Sequence, residues 1–254
     1  MPGSPLNPAV ESISAFFPCF NDEPTITSVV SSAVKAIEAV GADGEVIVIN
    51  DGSTDGSQEV LEDLALELPT LRIVVHEHNR GYGGALLSGF GSSTKQWVFY
   101  TDGDGQFDPA ELALLVERAS AEVDVVQGYK IRRADNLVRR VVGRLYQRFV
   151  SLMFGLEIRD VDCDFRLIRR ALLERVRLTH TSGVICVEMV RKFQDAGARI
   201  VEVPVHHYFR EHEQSRFFRP ASVFRSLMDL AALWVRLVVL RRDVRTEPDT
   251  ERAA

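Results

Sequence analysis

Short apolar runs alternate with segments whose apolar residues return every three or four positions. The runs Ile13–Phe17, Val46–Asn50, Arg72–His76, Trp97–Tyr100 and Val123–Gln127 read as buried strands, too short for helices and bounded by Gly, Pro, Asn or Asp. Between them, Val30, Val34 and Ile37 keep helical spacing in a segment that opens near Asn21-Asp22 with Pro24 in its first turn and stops at Gly41. Further helices are expected over Ser57–Glu67, from Gly84 to about Gly91, over Pro109–Ala119 and Asn136–Phe154, and from Cys186 to Ala196. A last strand, Arg199–Val203, ends at Pro204, and Ala221–Arg242 reads as a C-terminal helix. Strands that alternate with helices imply parallel βαβ units in one sheet.

Each early strand is followed at once by a polar, glycine-bearing loop: Asn21-Asp22, Asp51-Gly52-Ser53, Asn79-Arg80-Gly81 and Asp102-Gly103-Asp104-Gly105. In a parallel sheet these loops share one edge, the edge where open α/β sheets bind ligands. Asp102 and Asp104, one residue apart at a strand end, can turn toward one hard cation. Mg²⁺ or Mn²⁺ is commonly held by one or two carboxylates together with substrate phosphates. The same stretch also suits a plain acidic turn leading into the helix at Asp108-Pro109, and Asn21 and Asp51 also suit helix caps.

At 254 residues, with 46% hydrophobic and 26% charged residues, the chain has the makeup of one large globular domain. A net charge of −6 argues against a nucleic-acid partner. Arginines crowd Arg132–Arg148 and Arg210–Arg242, a distribution suited to an anionic ligand or an anionic membrane surface. Cys19, Cys163 and Cys186 have no metal-ligand spacing and suit a reducing, cytoplasmic setting, as does the absence of a leader-like start. The expected division is a flexible tail over 1–10, a catalytic domain over 11–219, an amphipathic helix over 220–242 and a second tail over 243–254.

Six stretches, in this order, resemble family 2 glycosyltransferases of the GT-A fold, and in particular the polyprenyl-phosphate glycosyltransferases such as dolichyl-phosphate mannose synthase. They are Phe17-Pro18-Cys19-Phe20-Asn21-Asp22-Glu23, Asn50 through Asp55, Asn79 through Gly84, Asp102 through Gln106, Asp160 through Arg166, and Arg210 through Phe217. The resemblance implies an α/β architecture: a GT-A (Rossmann-like), mostly parallel sheet flanked by helices, followed by the amphipathic helix. It implies an inverting transfer of a sugar from a UDP- or GDP-linked donor to a polyprenyl phosphate. Pro18, Phe20, Asn21, Glu23, Asp51, Asn79 and Gly81 would bind the nucleotide. Asp102, Asp104 and Gln106 would hold Mg²⁺ or Mn²⁺, with Asp102, Asp104, Arg210 and Asp162 as the catalytic set. Arg132, Arg139 and Arg140 would clamp the acceptor phosphate, and Arg210, Ser215 and Arg216 would fold over the diphosphate.

Three positions depart from the family pattern: Asp164 and Glu213, where relatives usually carry glycine, and Arg216, where they usually carry lysine. A soluble or saccharide acceptor is an alternative, and so is a nucleotide-binding module or membrane scaffold without turnover. Relatives often continue into transmembrane helices. Here Arg225, Asp229 and Arg236 interrupt the final apolar segment, so peripheral association with the inner membrane face is expected, or packing of the helix against protein.

Overall fold

A computed structural model of the chain describes residues 7–133, 137–208 and 220–241. Seven strands form one sheet: β1 Ser12–Cys19, β2 Asp43–Asn50, β3 Leu71–Val75, β4 Trp97–Thr101, β5 Val125–Arg133, β6 Phe165–Arg169 and β7 Ile200–His207. Their order is β3-β2-β1-β4-β6-β5-β7. Neighbouring strands run parallel except β6, which is antiparallel to both β4 and β5. The α-helices are α1 Glu23–Ala39, α2 Ser57–Glu67, α3 Tyr82–Ser92, α4 Leu112–Val116, α5 Leu137–Phe154, α6 Arg170–Arg175, α7 Ile185–Asp195 and α8 Pro220–Trp234.

The central strands are apolar on both faces because helices cover both. Ala15, Phe17, Val46 and Phe99 pack beneath α1 and α4, while Phe16, Ile47, Ile49 and Tyr100 pack against α3 and α7. A third cluster joins α5, α7 and α8 through Val150, Phe154, Val187, Leu230 and Leu237. Strand order reverses between β1 and β4, so the loops after these two strands flank the switch point where such sheets hold ligands.

Several boundaries differ from the sequence reading for identifiable reasons. Pro18 does not end β1: the ladder to β4 has already stopped at Phe16, and Pro18 continues only beside Ile49 of β2. Pro204 lies inside β7 because β7 is the sheet edge, where a missing N–H costs no ladder bond. β5 runs on through Gly128 to Arg133, paired with β7 past an irregularity between Lys130 and Arg132. The Pro109–Ala119 segment splits into a 3-10 turn, Pro109–Glu111, and the short α4. Residues 7–10, grouped with the tail from sequence, are tied down: Asn7 Nδ2 donates to Val116 O and Ala119 O, and the Trp97 indole donates to Ala9 O at 2.9 Å.

The C-terminal helix becomes π-helical over Val235–Val239. Its wide apolar arc is divided. Leu230, Leu233 and Leu237 are buried, and the Trp234 indole donates to Met153 O of α5 at 2.8 Å. Phe224, Leu227, Met228, Val235 and Val239 remain exposed. No helix among the described residues is long and apolar enough to cross a membrane.

Candidate active site

The first two loops are locked to each other. Asn21 sits at φ 60°, a left-handed conformation its short amide tolerates, and its Oδ1 accepts from Thr54 N at 2.8 Å. The Asn21 N–H donates to Ser53 Oγ at 3.1 Å. Glu23 Oε2 accepts from Gly56 N at 3.0 Å, at the start of α2, while the Glu23 N–H donates to Asp55 at 3.2 Å. The Phe20 N–H donates to Asp22 Oδ2 at 3.0 Å. Asn21 and Glu23 therefore clasp the loop after β1 to the loop after β2, whatever else they touch.

Asp51, just past β2, is almost fully buried. Its Oδ1 accepts two hydrogen bonds, from His76 Nδ1 at 2.6 Å and from Arg80 N at 2.8 Å. The third loop thus closes on the second. A side chain at Gly52, φ 72°, would collide with Asn79 N at 2.8 Å. Asn79 Oδ1 accepts from Gly81 N at 2.9 Å, a local turn that sets up α3. Gly81 has φ 79°, and a Cβ there would lie 2.8 Å from Thr181 O.

The acidic turn is braced on three sides. Gly103 N donates to Pro18 O at 3.2 Å, and Thr25 Oγ1 donates to Gly103 O at 2.8 Å. Asp104, mostly buried, accepts from Gln106 N at 2.9 Å. The Gln106 side chain donates to Tyr208 O at 3.3 Å, and Tyr208 N returns a bond to Gln106 O at 2.8 Å. From the glycine loop, the Tyr82 hydroxyl donates to Asp102 Oδ1 at 2.9 Å. Burial, with Asp102 and Asp164 nearby, pushes the Tyr82 phenol well above its ordinary range, so it stays a donor.

Asp102 and Asp104 therefore stand at one turn with carboxylate oxygens, a donor set suited to a hard cation. Among the described residues no group of three His, Cys, Asp or Glu side chains could hold a metal by itself. The residues fit an ion that completes its shell with substrate phosphate and water.

Beyond β4 lies the stretch from Asp160 to Arg166. Lys130 Nζ donates to Asp162 O at 2.6 Å. Desolvation, with Asp164 and Asp160 adding to it against the opposing Lys130, raises the Asp162 carboxyl from 3.8 to about 6. Arg166 is fully buried, donating to Tyr100 OH, to Gln127 Oε1 at 2.5 Å and to Val161 O at 2.5 Å. Asp164 lies 3.7 Å from this guanidinium and accepts from Tyr100 OH at 3.3 Å, so the buried network answers its charge.

Arg132 lies on β5, paired with His206, while Arg139 and Arg140 lie in the first turn of α5. The side chains of these three fall outside the described residues, as do Arg210, Ser215 and Arg216 entirely. His206 Nδ1 meets Glu111 Oε1 at 2.6 Å. His76, Tyr82 and Arg166 were not singled out from sequence. Tyr82 and Arg166 stand within quoted motifs, but His76 carried no signal beyond closing a strand.

The family model described as "Glycosyl transferase family 2" matches residues 14–177. The chain belongs to glycosyl transferase family 2. It is 29% identical over 211 residues to the undecaprenyl-phosphate 4-deoxy-4-formamido-L-arabinose transferase of Enterobacter sp. (strain 638), covering 82% of this chain and 63% of that protein. It is 28% identical over 210 residues to the enzyme of the same name from Edwardsiella ictaluri (strain 93-146), with the same coverage. The chain thus spans 63% of the length of these curated relatives.

Among solved structures it resembles glucosyl-3-phosphoglycerate synthase from Mycobacterium tuberculosis. In complex with UDP that enzyme gives a TM-score of 0.69 at 20% identity, over 92% of this chain and 86% of that one. In complex with Mn²⁺, UDP-glucose and glycerol 3-phosphate the TM-score is 0.63 at 21% identity, over 98% of this chain and 87% of that one. This likeness shows the GT-A fold: a mostly parallel seven-stranded sheet flanked by helices.

Proposed function

We propose that this family 2 chain is an inverting, metal-dependent glycosyltransferase that moves a sugar from a nucleotide-diphosphate sugar to a polyprenyl phosphate. The observation that carries the reading is the brace around Asp102-Gly103-Asp104. Loops after β1, β3 and β4, together with the end of β7, meet there at the switch point of the sheet. Support for the acceptor comes from the undecaprenyl-phosphate transferases, whose names state that lipid phosphate.

In this reading Asp102, Asp104 and Gln106 would hold Mg²⁺ or Mn²⁺ for the donor diphosphate. When bound, the cation supplies Lewis-acid stabilisation of the departing nucleoside diphosphate. Pro18, Phe20, Asn21, Glu23, Asp51, Asn79 and Gly81 form the nucleotide wall. An oxygen of the acceptor phosphate attacks the anomeric carbon from the face opposite the leaving group. The new C–O bond forms as the bond to the diphosphate breaks, and configuration inverts.

A phosphate monoester, with a second pKa near ~6, is largely dianionic at neutral pH, so no residue need remove a proton. The acceptor needs a cationic clamp, assigned to Arg132, Arg139 and Arg140, because a guanidinium fork can bind two phosphate oxygens. Asp162 orients the acceptor or the sugar. Arg210, Ser215 and Arg216 close over the diphosphate.

Besides the exposed apolar residues of α8, α5 carries an exposed apolar stripe of Val142, Leu145, Phe149 and Leu152. Arg144 and Arg148 on α5 and Arg225 on α8 are exposed, as is Arg241 past the π-helical turn. Together they suit peripheral docking on an anionic membrane face, where a lipid phosphate acceptor would be met.

The test is transfer from labelled nucleotide sugar with and without polyprenyl phosphate. Label entering the organic phase only when lipid phosphate and Mn²⁺ are both present supports the reading. Label that stays aqueous removes the lipid acceptor. Flotation with anionic liposomes checks the docking face, which is refuted if the protein stays at the bottom of the gradient.

A further inference from the structure

Strand β3 delivers His76 into the interior directly beneath Asp51, and both are nearly inaccessible to solvent. The imidazole is held from both sides. Nδ1 lies 2.6 Å from Asp51 Oδ1, and Nε2 lies 2.8 Å from Ser88 Oγ on α3. A carboxylate oxygen has no proton to give, so Nδ1 carries the hydrogen and Nε2 meets the serine hydroxyl. His76 N also donates to Asn50 O at 2.9 Å, which fixes the backbone at the ring's base. The ring can neither rotate nor withdraw without breaking one of these contacts.

The consequence falls on Asp51. Its Oδ1 already accepts two hydrogen bonds, from His76 and from Arg80 N. These two partners flank Oδ1 and hold the carboxylate in one orientation. Oδ2 is the oxygen left to meet a ligand, and it is an acceptor with no hydrogen to offer.

We infer that His76 is a positioning residue that makes Asp51 a one-oxygen acceptor, and that this selects a donor nucleobase with a single ring N–H, uracil. The inference rests on the nucleotide-sugar reading above. Uracil presents one N3–H to an acceptor. Cytosine presents a lone pair at the same ring position, which faces the carboxylate with like polarity. Guanine presents two parallel donors, which call for both carboxylate oxygens, and one of these is taken. Adenine presents an acceptor ring nitrogen beside its amine. Leaving a buried acceptor unpaired is expensive, which is why sites built on a single hydrogen bond can discriminate strongly.

The test is calorimetric binding of UDP, CDP, GDP and ADP, each with Mn²⁺, to the full chain and to three variants. The wild type should prefer UDP over CDP by ~100-fold. In His76→Leu, where Asp51 loses its lock, that preference should shrink to within ~5-fold, chiefly through weaker UDP binding. In His76→Asn an amide N–H can take the place of Nδ1, and most of the preference should return. Ser88→Ala frees the far side of the ring and should give an intermediate preference, which keeps the test decisive if the leucine variant does not fold.

A purely structural role for His76 would lower stability and weaken all four nucleotides together, leaving their ratios unchanged. That result overturns the inference. So does a wild type that binds GDP or CDP as well as UDP. A wild type that binds none of the four overturns the nucleotide-sugar reading itself, and is told apart from failure at His76 by the absence of any signal before mutation.

Discussion

Glu45 enters β2 at the end of the sheet opposite the acidic turn, and it is mostly buried. Its Oε1 accepts from Ser14 Oγ at 2.7 Å, Thr94 N at 2.8 Å and Thr94 Oγ1 at 2.7 Å, while Arg72 Nη1 lies 2.7 Å from Oε2. Desolvation alone would raise this carboxyl. The hydrogen bonds from Thr94, Ser14 and Arg72 outweigh it and hold the group down at about 2 against an ordinary 4.5. At 1.36 kcal/mol per pH unit, that difference is worth about 3 kcal/mol to the folded state at neutral pH.

The sign follows from proton counting. Between roughly pH 4.5 and pH 2 the unfolded chain binds the proton that the folded chain refuses. Stability from this group is therefore full above that window and disappears as pH falls through it. Glu45→Gln removes the ionisation and leaves Arg72 facing an amide. Urea unfolding at pH 7, 5, 4 and 3 should show the variant less stable at pH 7 by an amount approaching ~3 kcal/mol, a shift of roughly 6–12 °C in Tm at this chain length. The gap should narrow as the wild type loses its advantage in acid. UDP affinity should not move, because the run from Glu45 to Asp51 along β2, at ~3.3 Å per residue, puts them roughly 20 Å apart. A stability gap that stays constant from pH 7 to pH 3 would refute the reasoning.

Three further outcomes are expected. Asp104→Ala should lower kcat/KM by ~100-fold or more with the fold intact by circular dichroism, as for the loss of other preorganised charge stabilisers; activity within a few-fold of wild type would remove Asp104 from the site. Tyr82→Phe deletes one hydrogen bond to a carboxylate and should cost ~10-fold in kcat/KM with little change in Tm; an unchanged rate would show that Asp102 needs no brace. Asp162→Asn tests the carboxyl at that position. Raised to about 6, it makes the folded state take up a proton before the unfolded chain does between about pH 4 and pH 6, so wild-type stability falls as pH rises through that window. The asparagine variant should gain on wild type from pH 4 to pH 7 in thermal unfolding, and a reversed trend would contradict the assignment.

Sequence alone was enough for the alternation of strands and helices, and for the four loops on one sheet edge. Hydrophobic period and turn residues are local properties, and a parallel sheet converts them directly into a shared edge. The helix expected at about Ser57–Glu67 forms over Ser57–Glu67. The Asp102-Gly103-Asp104 turn announced itself because an apolar strand ends there in acid and glycine.

Tertiary structure decided what no window of sequence contains. Pro204 reads as a strand end until β7 is seen to be an edge. Pro18 reads as a stop until β4 is seen to have left β1 two residues earlier. The apolar arc of the last helix is uniform in sequence, and only packing against α5 and α7 divides it into a buried half and an exposed one. His76 closes an ordinary strand. Its partnership with Asp51, 25 residues earlier, and Ser88, 12 residues later, exists only because β2, β3 and α3 are brought side by side. Local pattern sets which backbone forms; long-range packing sets which polar atoms face each other, and the chemistry of a site lies in the second.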